Sequence, residues 1–353
     1  MTTNRRDVLK SGGLAALLGV TGLAGCSGGG LLGGGNTNNG KTNWQYDPSS
    51  LVEAENKMFG SLDYAQIYEN RDSLPESSRE SFETDSDSPV SAEDIGQMTG
   101  VGAGRYTPAE QSGAVFGSVA VTGEFGKDAI VSSMGSESDA EQVGEYEGYA
   151  LYENAESVTG GAGLDPGTQA SATVGVGDGA IVMGVVSQQQ TDVGITGEDA
   201  VRKMIDASNG NAPLLRDNSE YASQISSAVE GKSMRVGGEV DPDLVATMQQ
   251  ATTTTSAQFF QGIRAAGFGA TIDGGTTTFT FTGVYKDGET AKNTGIVGLV
   301  NASSERAVQE TEGIDSLTAS RNGGAVSIEM KGQTKAIFAE DGPAGGAGST
   351  FSL

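Results

Sequence analysis

The residue runs of this chain that could do chemistry are few. Gly35-Asn36-Thr37-Asn38-Asn39-Gly40-Lys41-Thr42 fits the phosphate-loop pattern letter for letter. Such a loop works only when a buried strand precedes it and a helix follows, so that backbone amides converge on the phosphates. Here glycines precede the run and Asn43-Trp44-Gln45-Tyr46-Asp47-Pro48 follows, with Pro48 set against an immediate helix. The run reads as spacer, and no nucleotide is expected. Gly25-Cys26-Ser27-Gly28-Gly29 carries the letters of a nucleophile elbow, but no histidine exists to activate Ser27. Gly175-Val176-Gly177-Asp178-Gly179 falls inside a hairpin and not at a strand-to-helix turn, which leaves dinucleotide binding unsupported. Asp85-Ser86-Asp87 opens like a calcium loop, yet Val90 stands where glycine is needed and Gly96 where glutamate is needed. It reads as a solvated acidic loop. Glu124 and Glu239 each follow a glycine in similar surroundings. They could form a pair of site carboxylates, and a turn or helix-start role explains them equally well.

Composition removes whole classes of mechanism. The 353 residues hold 46 acidic and 21 basic side chains, no histidine and one cysteine, Cys26. Ser-His-Asp triads, Cys-His pairs and imidazole-bound metals are excluded, as are internal disulfides and Cys-x-x-Cys redox pairs. No catalytic residue, cofactor or metal site is expected. The formal net charge of −25 repels nucleic acid and anionic lipid headgroups. Asn301-Ala302-Ser303 is an acceptor sequon, modified only if it is exposed on an exported chain.

The N-terminal residues carry an address. Asn4-Arg5-Arg6-Asp7-Val8-Leu9-Lys10 is a twin-arginine run, followed by an apolar stretch from Leu14 to Leu23 and by Leu23-Ala24-Gly25-Cys26. A basic start, a short apolar core and a small-residue cleavage site make a signal segment. Twin arginines point to the route that exports folded proteins. The apolar core is interrupted by glycine and falls far short of the roughly 20 residues a spanning helix needs. Leu23-Ala24-Gly25-Cys26 resembles the lipobox of exported lipoproteins. That resemblance implies cleavage before Cys26 and lipid attachment at its sulfur. One acyl chain anchors only marginally, so stable tethering needs a second membrane contact. The carboxylates are spread along the chain instead of clustered, which favours a hydrated surface adapted to high salt over an acidic binding face. Twin arginines, lipobox and an acidic mature chain together resemble the exported lipoproteins of halophilic archaea.

Five segments follow. Residues 1–25 are the signal segment; 26–43 are the lipidated cysteine and a flexible Gly/Asn-rich spacer. Residues 44–225 form a first α+β module with an N-terminal extension, 226–340 a second, and 341–353 a loose tail. Ser73 to Pro89 reads as a solvated loop or frayed helix.

The expected architecture is α+β, with curved antiparallel sheets and short helices packed mainly on one face. It includes an internal duplication of a β-α-β-β-α unit. Ser118–Asp128 matches Ser233–Asp243, each an alternating strand, a Gly-Glu pair and an acidic N-cap candidate (Asp128, Asp243). Each continues into an apolar-periodic helix, through Ile130, Val131 and Met134 or Leu244, Val245 and Met248. Two hairpins with Asp-Gly turns come next, around Asp178-Gly179 and Asp273-Gly274, with helices expected near 198–207 and 289–300. The alternation from Thr276 to Thr282 places Phe279 and Phe281 on one face and threonines on the other, as in a half-exposed strand. Glu145–Tyr152 is another strand candidate. Its Tyr146, Tyr149 and Tyr152 read as sheet packing with wet hydroxyls in preference to a ligand platform.

Three function classes remain, in this order. The first is a non-catalytic, membrane-tethered lipoprotein with a structural or protein-binding role at the cell surface. The second is a solute-binding lipoprotein of an uptake system, which requires a deep cleft. The third is a carboxylate-dependent hydrolase, which needs two carboxylates roughly 5–9.5 Å apart.

Overall fold

A computed structural model describes residues 43–54, 56–79, 90–107, 112–137, 140–153, 168–189, 193–240 and 261–339. The expectations placed on Arg5, Arg6, Cys26, the phosphate-loop run, Asp85–Asp87, the helix after Asp243 and the C-terminal tail lie outside these residues.

In chain order the elements are β1 (Asn56–Asp63), α1 (Tyr64–Glu69), α2 (Glu76–Arg79), β2 (Ile95–Thr107), β3 (Ser112–Gly123) and α3 (Lys127–Glu137). Next come β4 (Glu141–Tyr146), β5 (Tyr149–Glu153), β6 (Thr168–Gly177), β7 (Ala180–Gln189), α4 (Gly197–Ser208), α5 (Leu215–Asn218) and α6 (Glu220–Ala228). The last are β8 (Met234–Glu239), β9 (Ile263–Asp273), β10 (Thr276–Tyr285), α7 (Gly288–Asn293), α8 (Ile296–Glu310), β11 (Ile314–Asn322), β12 (Ala325–Gln333) and α9 (Thr334–Ile337). Antiparallel sheet dominates and the helices are short, which is the expected α+β class.

The chain divides into two compact units, one holding residues 43–54 and 90–214, the other 56–79 and 215–339. This differs from a split after residue 225. Strand β1 joins the C-terminal unit because it pairs antiparallel with β8, from Lys57↔Glu239 to Leu62↔Met234. A strand belongs with the ladder that satisfies its amides, however far away in sequence that ladder lies.

In the first unit the strands run β2-β3-β7-β6-β5-β4, each pair antiparallel. The β6–β7 turn is the expected Asp178-Gly179, with Gly179 at φ 66°. The Glu145–Tyr152 run, expected as one strand, is a hairpin. Glu147 (φ 49°) and Gly148 (φ 87°) turn the chain between β4 and β5, since two successive left-handed residues match the twist of paired strands. Asp128 lies inside the first turn of α3 and does not cap it. The amide of Lys127 donates instead to Asp178 Oδ1 at 3.2 Å, so the hairpin turn caps the helix. Helix α4 opens with a complete capping box between Thr196 and Asp199 and buries Ala200, Val201, Met204 and Ile205. It lies so close to the sheet that a Cβ on Gly184 would sit 2.2 Å from the Gly197 carbonyl oxygen. Beside it the fully buried Tyr46 hydroxyl meets Ser118 Oγ at 3.1 Å, and Ser118 donates to the Ala200 carbonyl at 3.0 Å.

In the second unit the order is β11-β12-β10-β9-β8-β1, again antiparallel throughout. Helices occupy both faces of this sheet, not mainly one. On one face α6 sets Ile225 over Gly237 and Gly267, where an added Cβ would come within 2.4 Å of the Ile225 Cγ2. On the opposite face Ile67 of α1 and Ile337 of α9 pack with Met234, Ala270 and Ile272. The helix expected over 289–300 is broken: α7 ends at Asn293, and Gly295 (φ 69°) starts α8 in a new direction. Both faces of β10 are largely buried: on the phenylalanine face Thr277 is 0% exposed and Phe279 packs on the Met234, Ala270 and Ile272 cluster. Thr280 and Thr282 are 5% and 0% exposed, while Phe281 on the other face is 38% exposed. Alternation in β10 separates the two faces but does not reveal that both are covered.

The pairing does not mirror the expected equivalence of β3 with β8. Strand β3 lies beside β7, the second strand of its downstream hairpin, whereas β8 lies beside β9, the first strand of the next.

Candidate functional site

The sheet of the second unit carries a polar row straight across its α6 side. Ser61 pairs with Arg235, Arg235 with Gly269, Gly269 with Thr280, Thr280 with Glu329, and Glu329 with Thr318. A parallel row runs Thr282, Ser327, Ser320. Every side chain in a cross-strand row projects from the same face, so register alone assembles this surface. Where α6 ends, the rows are uncovered and form a depression of about 260 Å³. It is lined by Thr280, Ser327, Glu329, Thr318 and Ser320 of the sheet and by Ala228 and Lys232.

Each contributor has a local reason for its place. The stem of Lys232 lies across Gly269, where an added Cβ would come within 2.8 Å of Lys232 Cγ; glycine there lets the lysine lie flat. Its ammonium reaches Glu329 Oε2 at 4.0 Å, with side-chain exposures of 18% for Lys232 and 54% for Glu329. Thr282 Oγ1 and Ser327 Oγ bond each other at 2.9 Å. Thr280 Oγ1 is buried and makes no hydrogen bond to any described residue. A buried hydroxyl without a partner costs on the order of 1–3 kcal/mol. Further along the row, Arg235 Nε donates to Ser61 Oγ at 2.9 Å, and burial lowers the pKa of this guanidinium. At the end of β1, Asp63 accepts the Gln66 amide at 2.7 Å as the N-cap of α1. Burial, with Glu69 adding repulsion, pushes its carboxyl up to about 6 against the pull of Gln66 and Arg235.

The other candidates assemble nothing comparable. Glu124 lies in the first unit, its amide donating to the Asp94 carbonyl at 2.8 Å in a turn, and Glu239 ends β8 in the second unit. Neither unit therefore builds a carboxylate pair from them. One carboxylate oxygen of Glu239 is buried with no hydrogen bond to a described residue. The Asn301 side chain is committed to structure. Its Nδ2 donates to the Ala319 carbonyl at 2.9 Å and its Oδ1 accepts the Ala319 amide at 2.8 Å, closing the outer edge of β11. A glycan on Nδ2 would compete with that paired bond. Tyr146 donates its hydroxyl to Asp206 at 2.7 Å beneath the Arg202 guanidinium, and that bond raises its pKa. Tyr149 fills the space over Gly177 and Tyr152 is buried, so the three tyrosines pack the sheet. Among the described residues no group of acidic side chains is arranged to hold a metal, and no helix is long and apolar enough to cross a membrane.

Periodicity reasoning missed the depression, although its signal was present. Thr280-x-Thr282, Thr318-x-Ser320 and Ser327-x-Glu329 are polar alternations in three strands. Only knowledge that β10, β12 and β11 are neighbours turns them into one surface.

No protein-family model matches this sequence. No curated protein matches it either. Among solved structures, crystal form III of TP0453 is similar at a TM-score of 0.39 and 8% identity, covering 85% of this chain and 96% of that one. Crystal form IV gives 0.39 and 9%, with 85% and 98% covered. Likeness at this level bears on neither mechanism nor ligand.

Proposed function

We propose that this protein is a membrane-tethered lipoprotein on the outer side of the cell membrane, where its folded part serves a non-catalytic structural or protein-binding role. One observation carries the reading: twin arginines, a short apolar core and Leu23-Ala24-Gly25-Cys26 follow one another in the order that export and acylation require. The lone thiol then has a use that no other feature of the chain supplies. The Gly/Asn-rich stretch behind it spaces the folded units from the bilayer. The acidic surface keeps them hydrated and repels them from anionic headgroups. Without histidine, a Ser-His-Asp triad or an imidazole proton relay is not open to the chain.

Cys26→Ser tests this directly. In cells fed a labelled lipid precursor, the wild-type chain carries label and sediments with membranes. The variant carries none and appears as uncleaved precursor or in the soluble fraction. A variant that remains labelled and membrane-bound refutes the assignment.

A scaffold of repeated sheet modules, arising from a duplication within the chain, is part of this proposal. Its basis is an element order that differs from the match of β3 with β8: hairpin β2–β3, helix α3 and, beyond β4–β5, hairpin β6–β7, then hairpin β9–β10, helices α7 and α8 and hairpin β11–β12. In both, the second strands of the two hairpins are neighbours, β3 with β7 and β10 with β12. Superposition of the two four-strand sets tests it: opposite handedness of their helix connections would exclude common descent.

A further inference from the structure

We infer that Asn301-Ala302-Ser303 is a folding-gated modification site: the unfolded chain can accept an N-linked glycan at Asn301, and the folded chain cannot. This goes beyond the lipoprotein reading and does not depend on it.

The run has the letters an oligosaccharyltransferase reads, an asparagine and a hydroxyl two residues on. Such sites belong to surface loops, and this one lies inside α8. Successive helical residues are rotated by about 100°, so Asn301 and Ser303 project about 200° apart, toward nearly opposite sides of the helix. In an extended chain residues i and i+2 share a face, and an enzyme that must hold both side chains at once finds them together. The side chains are occupied as well. Ser303 Oγ donates to the Leu299 carbonyl at 2.9 Å, with the Val300 carbonyl at 3.2 Å. Both polar atoms of Asn301 are bonded to Ala319.

Amide stereochemistry makes the conflict specific. Ala319 presents its amide and its carbonyl side by side at the outer edge of β11, so the paired bond uses the Asn301 hydrogen on the same side as Oδ1. Glycosylation turns the side chain into a secondary amide, whose favoured trans form places the substituent on the oxygen side. That is the position of the bonded hydrogen. In the transfer, the anomeric carbon of a lipid-diphosphate-linked oligosaccharide loses its bond to the phosphate oxygen and gains one to Nδ2. The diphosphate leaves with the electron pair, and one amide proton passes to solvent. The hydrogen displaced is the one that holds Ala319. A glycan at Asn301 and the closed β11 edge therefore exclude each other, even though Asn301 is exposed. On a chain exported already folded, the sequon arrives silent.

The test is cell-free synthesis of the full-length chain. A single-subunit oligosaccharyltransferase and its lipid-diphosphate-linked oligosaccharide are present either from the start or only after synthesis and folding are complete. Occupancy of Asn301 is read by mass spectrometry. Asn211→Thr supplies the control, because it creates a sequon at Asn209, the exposed residue that ends α4. The expected result is modification of Asn301 when the enzyme is present from the start and at least tenfold less when it is added late. Asn209 of the variant should be modified to a similar extent in both arms. The chain glycosylated at Asn301 should also unfold at a lower Tm than the unmodified chain, because its β11 edge is open. Equal occupancy of Asn301 in the two arms, no occupancy in either, or an unchanged Tm would overturn the inference. Silence of Asn209 after late addition would overturn it too, since the enzyme would then refuse the folded surface as a whole and not α8 in particular. Synthesis without a membrane route keeps failure of export or lipid attachment from mimicking any of these results.

Discussion

Asp63→Asn isolates the cost of holding a carboxylate at the buried start of α1. Asp63 is 5% exposed, and its carboxyl titrates near 6 instead of 3.8 because burial outweighs the helpful Gln66 amide and Arg235 charge. The sign follows from proton binding. Between pH 4 and 6 the folded chain keeps a proton on Asp63 that the unfolded chain has released, so stability falls as pH rises through this window and levels off above it. At about 1.4 kcal/mol for each pH unit of displacement, the loss above pH 6 approaches 3 kcal/mol. Asparagine retains an oxygen for the Gln66 amide and serves equally well as an N-cap, but it carries no charge. The variant should match wild type near pH 4 and exceed it at pH 7.5 by about 1–3 kcal/mol; lost attraction to Arg235 accounts for the lower figure. Urea denaturation of both proteins at pH 4, 5, 6, 7 and 7.5 in one fixed salt supplies the difference curve, in which the titrations of other carboxylates cancel. A difference that is flat across this range, or that favours wild type at high pH, would refute the burial argument.

Three further substitutions test packing and the sheet edge. Gly184→Ala forces a methyl against the Gly197 carbonyl and should destabilise by about 3 kcal/mol or more, whereas Gly144→Ala, facing open space, should stay within about 0.5 kcal/mol; similar melting temperatures for the two would show that α4 is not seated on Gly184. Asn301→Ala removes the paired bond to Ala319 and should cost about 1–2 kcal/mol in urea unfolding. A loss below about 0.3 kcal/mol would mean that water serves the β11 edge as well as the side chain does.

How far the site can be read from the sequence depends on how local its cause is. Asp178-Gly179 and Asp273-Gly274 are legible as turns, because a left-handed backbone demands residues of that kind. The Glu147-Gly148 turn escapes detection, since a glutamate at φ 49° is atypical and the tyrosine alternation runs through it. The break between α7 and α8 rests on Gly295, which residue type alone does not separate from the helical Gly298. The floor of the depression is illegible for a different reason: Thr280, Glu329 and Thr318 become neighbours through two strand pairings.

What the sequence determined by itself is chemical inventory and local geometry. It rules out imidazole chemistry and internal disulfides, places the lone thiol behind the apolar stretch Leu14–Leu23, and marks strands and tight turns, because these depend on residue type or on contacts a few positions apart. Tertiary structure alone decided that β1 joins β8, that Thr280 and Thr282 of β10 are buried, and that Asn301 closes an edge. Each is a choice among long-range partners of nearly equal local merit, settled only when amides are satisfied and glycine rows admit a helix.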